Sequence, residues 1–458
     1  MKTAVINSKT FITDGYRIDP DIHLSDGVKV RRELNSLPYE LSTIGENAER
    51  VFSGNIYSRV FVPKPEYGVE YLAASDTVLE NINTRRYLSK KQVEKLKYLV
   101  LEKNWILITC SGTLGNVTYT NSSFEGKIAT HDLIRVIPDN KQIKRGVIYA
   151  FLQSRYGFHQ ITQSQFGGVV KHINDEQTKN IVIPIFNSDF QCEIDSLIQE
   201  ASTLREKADR SREDAIQKVS NYLDADISVT KGFVSKEVKV NSILETLNTR
   251  IDAPVFINEG VRSLLRLNKP YKKMGELSVE IWYPGIFKRE YVKNGLPYIK
   301  GAALLDRNPF KNCDNLSKTR TPMLSQLWLK EGLLMMTCAG LCGDVKLITR
   351  EYEEKHAIGS PDIIRIKSND SLCTTEYLFA YLQTPVVYEY LQSMKYGSVI
   401  ERFDAEHTKS IPIILPTKEL SDEVTAIIKN YMDCTYKAFK AEEQAISLVE
   451  HEIERWNK

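Results

Sequence analysis

The feature that most constrains this chain of 458 residues is an internal duplication. Residues 109–117 (TCSGTLGNV) return as residues 337–345 (TCAGLCGDV), and residues 132–136 (DLIRV) return as residues 362–366 (DIIRI). Further matches follow in the same order, at a nearly constant spacing of 228 to 230 positions. Ordered matches at one spacing are the signature of a repeat, so the sequence predicts two copies of one domain in tandem.

Each copy ends in a long helical pattern, over residues 189–223 and 418–456. Apolar or small residues recur there every seven positions between charged neighbours, which favours a helix–helix seam. An amphipathic helix lying on its own domain is the alternative, although about 35 residues would make a helix about 50 Å long. The predicted seam and partner-docking residues are Ile194, Leu197, Ala201, Leu204, Ala208, Val424, Ile427, Tyr431, Ala438 and Leu448.

The body of each copy has a mixed pattern. Short apolar runs at 105–108 and 333–336 stop at Gly-x-x-Gly turns and are typical of buried strands. Proline-containing runs at 181–185 and 411–416 favour edge strands, since proline cannot donate to a central ladder. The predicted fold class is therefore α+β, with two similar mixed α/β domains, each followed by a long helix. The predicted boundaries are 1–188 for the first domain, 189–223 for its helix, 224–249 for a linker, 250–417 for the second domain and 418–458 for the last helix.

Composition narrows the class of protein. The net charge of +2, from 61 basic and 59 acidic residues, argues neither for nor against nucleic acid as a partner. No run of about 18 uncharged apolar residues occurs, which argues against a membrane-spanning helix. The seven cysteines are scattered and odd in number, so we expect free thiols in a reducing cytoplasm.

Catalytic and metal-binding motifs are weak or missing. An amino-methyltransferase site needs Asn/Asp-Pro-Pro-aromatic, and residues 307–310 (RNPF) lack the second proline. The Gly-x-x-Gly turns lack a following Gly-Lys-Ser/Thr, so they are not phosphate loops. Cys110 and His131 do not repeat as a pair, because Pro361 replaces the histidine in copy two. No zinc-type ligand spacing is present. We therefore predict a chain that is not an enzyme, with no metal and with Cys110 as a core thiol.

Basic and aromatic residues cluster where the two copies diverge, around 83–91 and 306–320. Arginine suits the reading of base edges and lysine suits phosphate neutralisation. A charge run is usually only a solvated surface, but a shared framework with divergent polar loops favours the reading of two different short DNA sequences. The candidate DNA-binding residues are Arg59, Arg85, Arg86, Tyr87, Thr113, Gln165, Lys171, His172, Lys288, Arg289, Arg307, Lys311, Lys318, Arg320, Lys395, Tyr396 and Arg402.

Taken in order, these motifs resemble the specificity subunit of type I restriction-modification systems over nearly the whole chain. The resemblance rests on the Arg-Ile-Asp openings at 17–19 and 250–252, the Thr-Cys-Ser/Ala-Gly-x-x-Gly turns and the Ile-Pro-Ile strands before the long helices. The helices with YAFLQ and FAYLQ and the loops at 166–170 and 396–400 also match. One departure is the weak Pro-Pro-x-x-Glu-Gln run before each long helix.

The resemblance implies that each domain is a target-recognition domain for one half of a bipartite site in double-stranded DNA. The helices would pair as an antiparallel coiled-coil spacer and dock two methyltransferase subunits, and restriction motor subunits could join. The chain itself would bind no cofactor, since S-adenosylmethionine and ATP with Mg belong to the partner subunits. The departure leaves room for the recognition chain of a related phage-defence methylation or restriction system. A separate alternative is a protein-binding scaffold that does not read bases.

Overall fold

A computed structural model describes residues 8, 23–112, 114–163, 172–224, 237–244, 246–247, 249–258, 263–264, 267, 269–340, 342–397, 399 and 401–456. The chain divides into two compact units. The first unit comprises 1–206 with 437–458, and the second comprises 207–436. Each unit therefore contains one body and parts of both long helices. The boundaries predicted from the sequence stay a prediction.

The first copy contains ten strands and five short helices among its described residues. Its strands are β1 (Leu41–Thr43), β2 (Ala48–Phe52), β3 (Phe61–Val62), β4 (Gly68–Leu72), β5 (Tyr87–Ser89), β6 (Ile106–Thr109), β7 (Val117–Tyr119), β8 (Ile128–Ala129), β9 (Leu133–Pro138) and β10 (Val182–Pro184). Its helices are α1 (Asp26–Asn35), α2 (Lys90–Val93), α3 (Arg145–Gln153), α4 (Arg155–Gln163) and α5 (Asp175–Lys179), and the long helix α6 (Ser188–Leu223) follows.

The second copy repeats this plan in its described residues. Its strands are β11 (Tyr271–Lys273), β12 (Val279–Trp282), β13 (Tyr291–Val292), β14 (Leu296–Ile299), β15 (Asp314–Leu316), β16 (Leu334–Thr337), β17 (Val345–Leu347), β18 (Ile358–Gly359), β19 (Ile363–Ser368) and β20 (Pro412–Ile414). Its helices are α7 (Val240–Leu244), α8 (Ala253–Ile257), α9 (Gly301–Leu304), α10 (Leu324–Leu327), α11 (Arg350–Glu354), α12 (Thr375–Gln383), α13 (Pro385–Met394), α14 (Ala405–Lys409) and the long α15 (Lys418–Trp456).

Sheet topology is the same in the two copies, strand for strand. In the first copy β1 pairs with β10, and two four-stranded sheets have the orders β2-β9-β6-β7 and β3-β5-β4-β8. In the second copy β11 pairs with β20, and the orders are β12-β19-β16-β17 and β13-β15-β14-β18. The β4–β8 and β14–β18 pairs are parallel, and the other pairs are antiparallel. The duplication thus extends to the topology, and the predicted pair of similar mixed α/β domains is confirmed.

The Gly-x-x-Gly runs form strand-to-strand turns, as their sequence indicated. All four residues of β6 are buried, because the strand lies between β9 and β7. Gly112 and Gly115, which follow it, have φ of 68° and 79°, a region that residues with a Cβ rarely enter. Gly340 and Gly343 repeat this in the second copy, with φ of 73° and 93°. Glycine therefore allows each buried strand to turn back into its neighbour.

The long helices α6 and α15 pair antiparallel. In the first unit, Ile194 near the start of α6 shares a core with Val449 and Ile453 near the end of α15. In the second unit, Lys218 near the end of α6 lies 2.9 Å from the carboxylate of Glu423 near the start of α15. The predicted antiparallel pairing is therefore confirmed. Part of each long helix also packs on a domain, as the alternative predicted, because the core that contains Ile194, Val449 and Ile453 includes residues from the body of the first copy.

Small residues lie at the centre of the seam in the first unit. Ala201, Ala438 and Ala441 form a buried cluster, and Leu197 and Leu204 pack against it. Ala208 and Val424 of the predicted seam are also buried, as is Tyr431, which stacks on Phe379. Two predicted seam residues of α15, Ile427 and Leu448, are only partly buried, and the next residue in each case, Ile428 or Val449, is fully buried instead. None of the helices in the described part of the chain is long and apolar enough to cross a membrane.

The alanine cluster leads to a stability prediction. Because Ala438 is fully buried against α6, we expect Ala438→Leu to lower the free energy of unfolding by about 1–3 kcal/mol through overpacking. Ala426 is exposed on the same helix, and Ala426→Leu should have little effect. Urea unfolding followed by circular dichroism measures both variants. Equal stability of the two variants would contradict close packing at Ala438.

Candidate nucleic-acid interface

Arg59 in the first copy is held by three side chains. Its Nη2 donates to Thr130 Oγ1 at 3.2 Å and lies 3.9 Å from the carboxylate of Asp132. Its guanidinium also lies 5.6 Å from the ring centroid of the buried Tyr71. A cation above an aromatic face is attracted by the ring quadrupole, and the carboxylate fixes its direction. We call this group, Arg59 with Tyr71, Thr130 and Asp132, the first arginine brace.

The second copy contains an equivalent second arginine brace, made of Arg289, Tyr298, Ser360 and Asp362. Arg289 Nε donates to Tyr298 Oη at 2.7 Å, and its Nη2 lies 3.4 Å from the Asp362 carboxylate. Its guanidinium lies 5.7 Å from the centroid of the Tyr298 ring. Tyr298 Oη donates in turn to Ser360 Oγ at 3.0 Å. Both predicted arginines are therefore oriented, partly exposed cations on a buried tyrosine.

A buried arginine supports the acidic turn of each brace. Arg135 donates to the carbonyls of Ala129, Thr130 and Leu133 at 2.9–3.0 Å. Arg365 donates in the same way to the carbonyls of Gly359, Ser360 and Ile363. Burial lowers the pKa of each guanidinium to about 10, so each stays charged at neutral pH. These charges hold the turn that presents Asp132 or Asp362 to its arginine.

The predicted cluster at 85–87 lies beside the first brace. Arg86 forms an ion pair with Asp76, and its guanidinium lies 5.9 Å from the Tyr71 ring centroid. Arg85 is exposed with φ of 53°, and Tyr87 opposes Glu70 in the β4–β5 ladder. Burial raises the pKa of the Tyr87 phenol above its usual value. The structure therefore brings Arg59 and Arg86 to the same tyrosine.

The basic residues of the second copy are more dispersed. Lys288 and Lys318 are exposed, whereas Arg307 and Lys311 are half-buried in the segment between α9 and β15. Arg320 Nη1 lies 2.6 Å from the carboxylate of Glu290, the residue that follows Arg289. The structure therefore places Arg320 against the chain segment that carries the second brace.

A third set of predicted residues lies beside the glycine turns. His172 forms a backbone bridge to Ser111, and Arg402 forms the equivalent bridge to Ala339. Arg402 also exchanges two backbone hydrogen bonds of 2.9 Å with Tyr396, and Lys395 Nζ lies 3.0 Å from the Glu401 carboxylate. Lys395, Tyr396 and Arg402 are thus close together at one turn. The predicted residues Thr113, Gln165 and Lys171 lie outside the described residues.

The cysteines of the glycine turns are poor nucleophiles. Burial raises the pKa of Cys110 and of Cys338 to about 11. Because the thiolate is the reactive form, neither thiol is activated at neutral pH. Within the part of the chain that the structure describes, no group of three or more His, Cys, Asp or Glu residues could hold a metal ion.

The sequence reading missed the residues that orient the arginines. Asp132 and Arg135 lie in the repeated run 132–136, and their counterparts Asp362 and Arg365 lie in the run 362–366. Tyr71 and Tyr298 end a further pair of matching runs, residues 68–71 (GVEY) and 295–298 (GLPY). Their repetition was the available signal. An arginine within an apolar strand pattern, repeated in both copies, singles out this position, but the pattern does not show whether the guanidinium is buried or which groups accept its hydrogen bonds.

The buried arginine of the second copy gives a second stability prediction. Arg365→Met keeps most of the volume but leaves three buried carbonyls without their donor, so we expect a loss of about 3 kcal/mol or more in the free energy of unfolding. Lys367→Met, in the same strand but exposed, should change it little. Urea unfolding measures both, and an Arg365→Met variant as stable as the parent would show that these carbonyls do not need the guanidinium.

Thiol reactivity tests the burial at the glycine turns. With a pKa of about 11, only about one in a thousand Cys110 or Cys338 thiols is ionised at pH 8. Cys192 is exposed on α6 and should be alkylated first by iodoacetamide. Peptide mass mapping gives the order, and labelling in denaturant provides the control in which all three react. Equally fast labelling of Cys110 and Cys192 in the folded protein would contradict the prediction.

Comparison with known proteins gives one family match and several similar structures. Residues 39–200 match the family described as the type I restriction modification DNA specificity domain. No curated protein matches the chain. The type I restriction-modification S subunit from M. genitalium is 13% identical, with 92% of this chain and 96% of that chain covered and a TM-score of 0.36.

Two further solved structures are similar over comparable lengths. The HsdS subunit from Thermoanaerobacter tengcongensis is 13% identical, with 90% of this chain and 96% of that chain covered and a TM-score of 0.28. A chain from a structure on complex assembly and conformational transition of the type I R-M system is 11% identical, with coverages of 92% and 97% and a TM-score of 0.29. The family match confirms the resemblance that the motifs indicated: over residues 39–200, this chain is similar to the DNA specificity domain of type I restriction modification systems.

Proposed function

We propose that this chain is the non-catalytic specificity subunit of a type I restriction-modification complex, in which each copy reads one half of a bipartite DNA target. The observation that carries the proposal is the repeated framework. Both copies have the same strand order and an equivalent arginine brace, whereas the basic loops around them differ. Two identical frameworks with different loops suit the recognition of two different short sequences.

The division of contacts follows from the chemistry of the side chains. The arginines at 85–86 and the basic residues at 307 and 311 belong to the divergent segments and would contact base edges. The exposed Lys288 and Lys318 would neutralise phosphates, which gives affinity but carries little sequence information. The residues at the glycine turns, His172, Lys395, Tyr396 and Arg402, would add contacts from the loops that follow.

The long helices would act as a spacer and as the docking surface for partner subunits. The 36 residues of α6 and the 39 residues of α15 correspond to lengths of about 54 and 58 Å at 1.5 Å per residue. Equivalent groove positions on DNA recur every 34–36 Å, so each helix is longer than one turn of the duplex. Two methyltransferase subunits would dock there, with restriction motor subunits joining. S-adenosylmethionine would bind the methyltransferase, and ATP with Mg the motor.

The proposal is tested by sequencing a methylome. The chain is expressed with the methyltransferase subunit of the proposed complex in a bacterium that lacks DNA modification, and methyl-adenine is mapped. We expect a two-part motif with a fixed gap, which disappears when this chain is omitted. A stable complex that adds no methylation would contradict the proposal and favour the protein-binding scaffold.

Loop variants should alter one half of the motif at a time. We expect the double variant Arg85→Ala, Arg86→Ala to lower methylation of the motif by about tenfold or more, or to relax the base requirement in one half-site only. A good base contact contributes about 1–3 kcal/mol of discrimination. Arg307→Ala with Lys311→Ala is the matched change in the other copy and should affect the other half-site. Methylome mapping of both variants gives the result. Loss of both half-sites together in either variant would contradict the assignment of one half-site to each copy.

A further inference from the structure

An exposed isoleucine lies at the same place in both copies. The first arch, which we define as residues 53–60 between β2 and β3, carries Ile56, whose exposed fraction is 87%. The second arch, residues 283–290 between β12 and β13, carries Ile286, whose exposed fraction is 78%. Ile56 and Ile286 are 230 positions apart, the spacing of the repeat. Two large apolar side chains are therefore presented to solvent by equivalent segments.

Each arch is anchored on both sides of its isoleucine. The next residue, Tyr57 or Phe287, packs against the cluster that contains Tyr71 or Tyr298. Three positions beyond the isoleucine, Arg59 or Arg289 enters its arginine brace. The isoleucine thus lies between an aromatic anchor and an ion pair, which prevents it from folding back onto the domain.

Backbone contacts hold the far end of each arch. In the first copy the amide of Ser89 donates to the carbonyl of Val60 at 2.9 Å, and Gln92 Oε1 accepts from the Val60 amide at 2.9 Å. In the second copy the amide of Ser317 donates to the carbonyl of Glu290 at 3.0 Å, and Arg320 pairs with the Glu290 carboxylate. Gln92 and Arg320 therefore hold the same end of their arches, Gln92 through a hydrogen bond to the backbone and Arg320 through an ion pair.

The charge around both arches suits a polyanion. The first arch contains no acidic residue, and the one acidic residue of the second arch, Glu290, is paired with Arg320. Exposed lysines adjoin the anchors: Lys90 and Lys91 precede Gln92, and Lys318 lies two residues before Arg320. An exposed isoleucine beside exposed cations suits a DNA duplex, which offers both charged phosphates and stacked apolar bases, better than it suits an apolar protein surface.

The exposed position of the arch is occupied by the same residue, isoleucine, in both copies, whereas the basic loops differ between the copies. Residues next to the arginines differ between the arches: Ser58 is aligned with Lys288, and Val60 is aligned with Glu290. Isoleucine nevertheless occurs in both arches. A side chain that is the same in two domains for two different half-sites suits a contact that does not depend on base identity. Apolar wedges between base steps are such contacts, because they act by partial unstacking of the duplex.

We infer that Ile56 and Ile286 are apolar wedges that insert against a base step of each DNA half-site and distort the duplex without reading its sequence. The inference rests on the proposed function, because it takes DNA as the occupant of both arches. Arg59 and Arg289 would fix each wedge and contact the adjacent phosphate. Such a distortion would assist a methyltransferase partner, which must take its target base out of the stack.

The test uses the complex of the chain with its methyltransferase and a duplex carrying the motif found in the methylome. We expect Ile56→Ala and Ile286→Ala each to weaken binding by about 5- to 20-fold, measured by fluorescence anisotropy, because the apolar contact with the bases is lost. The loss should be smaller on a duplex with a mismatch in the affected half-site, where unstacking is easier. A 2-aminopurine in that half-site should brighten with the parent complex and remain dim with the variant.

Ile251→Ala is the matched control, because Ile251 has the same exposed fraction of 78% as Ile286 but lies outside both arches. It should leave binding and 2-aminopurine fluorescence unchanged. The methylated motif should also stay the same in both arch variants. A changed base in the motif written by Ile56→Ala would mean that the isoleucine reads a thymine methyl group. Unchanged binding by the variant would mean that the isoleucine does not touch DNA. Either result would overturn the wedge proposal.

The proposed function and the wedge fail in distinguishable ways. If the parent complex writes no bipartite motif, the proposed function is wrong, and no arch variant is needed to show it. If the parent writes the motif and binds its duplex while both arch variants match the parent, the specificity-subunit proposal stands and only the wedge is wrong.

Discussion

A fully buried guanidinium in each copy is the interaction on which the candidate interface depends. Burial of a charge is unfavourable unless it is compensated. In each copy three backbone carbonyls accept hydrogen bonds from the Nη1 and Nη2 groups of Arg135 or Arg365, whereas the buried Nε of each has no hydrogen-bond partner among the described residues. In each copy one carbonyl belongs to the turn between β8 and β9, or between β18 and β19, and the other two belong to the strand residues on either side of that turn. The buried charge therefore fixes the turn, the turn presents an aspartate, and the aspartate orients the exposed arginine of the brace.

These contacts, from the buried arginine to the turn, the aspartate and the exposed arginine, also explain why the two copies share some residues and differ in others. Residues that hold the turn and the brace are constrained by burial and by several partners at once, so a change at one of them disturbs the others. The cationic residues of the basic loops are exposed or half-buried, so their side chains can vary with less effect on the fold. Gln92 and Arg320 show the intermediate case, where one anchoring role is performed by an amide in one copy and an ion pair in the other.

Much of the fold could be predicted from the sequence because its signals are local. The buried strand β6, the glycine turn after it and the heptad pattern of α6 each lie within a few consecutive residues. The contacts of the braces could not be predicted, since Arg59, Tyr71 and Asp132 come from three separate segments that only the sheet pairing brings together. The arginine in DLIRV repeats in both copies, but sequence alone does not show whether a strand arginine is exposed or buried. The core shared by Ile194 and Val449 depends on the helix register, which a heptad pattern leaves open.

The arrangement of rigid and variable parts also bears on how such a chain could change its target. Each variable loop is attached to a strand or a turn whose position is set by buried groups, as β5 is set by its pairing with β4 and by the packing of Leu88. A loop can therefore be replaced without moving the brace or the arch beside it. Because the isoleucine and the arginine of the arches are the same in both copies and the basic loops are not, distortion of the duplex and recognition of its bases would be assigned to different residues. Under the proposed function, selection could then alter the DNA sequence that is read while preserving the contacts that hold the duplex.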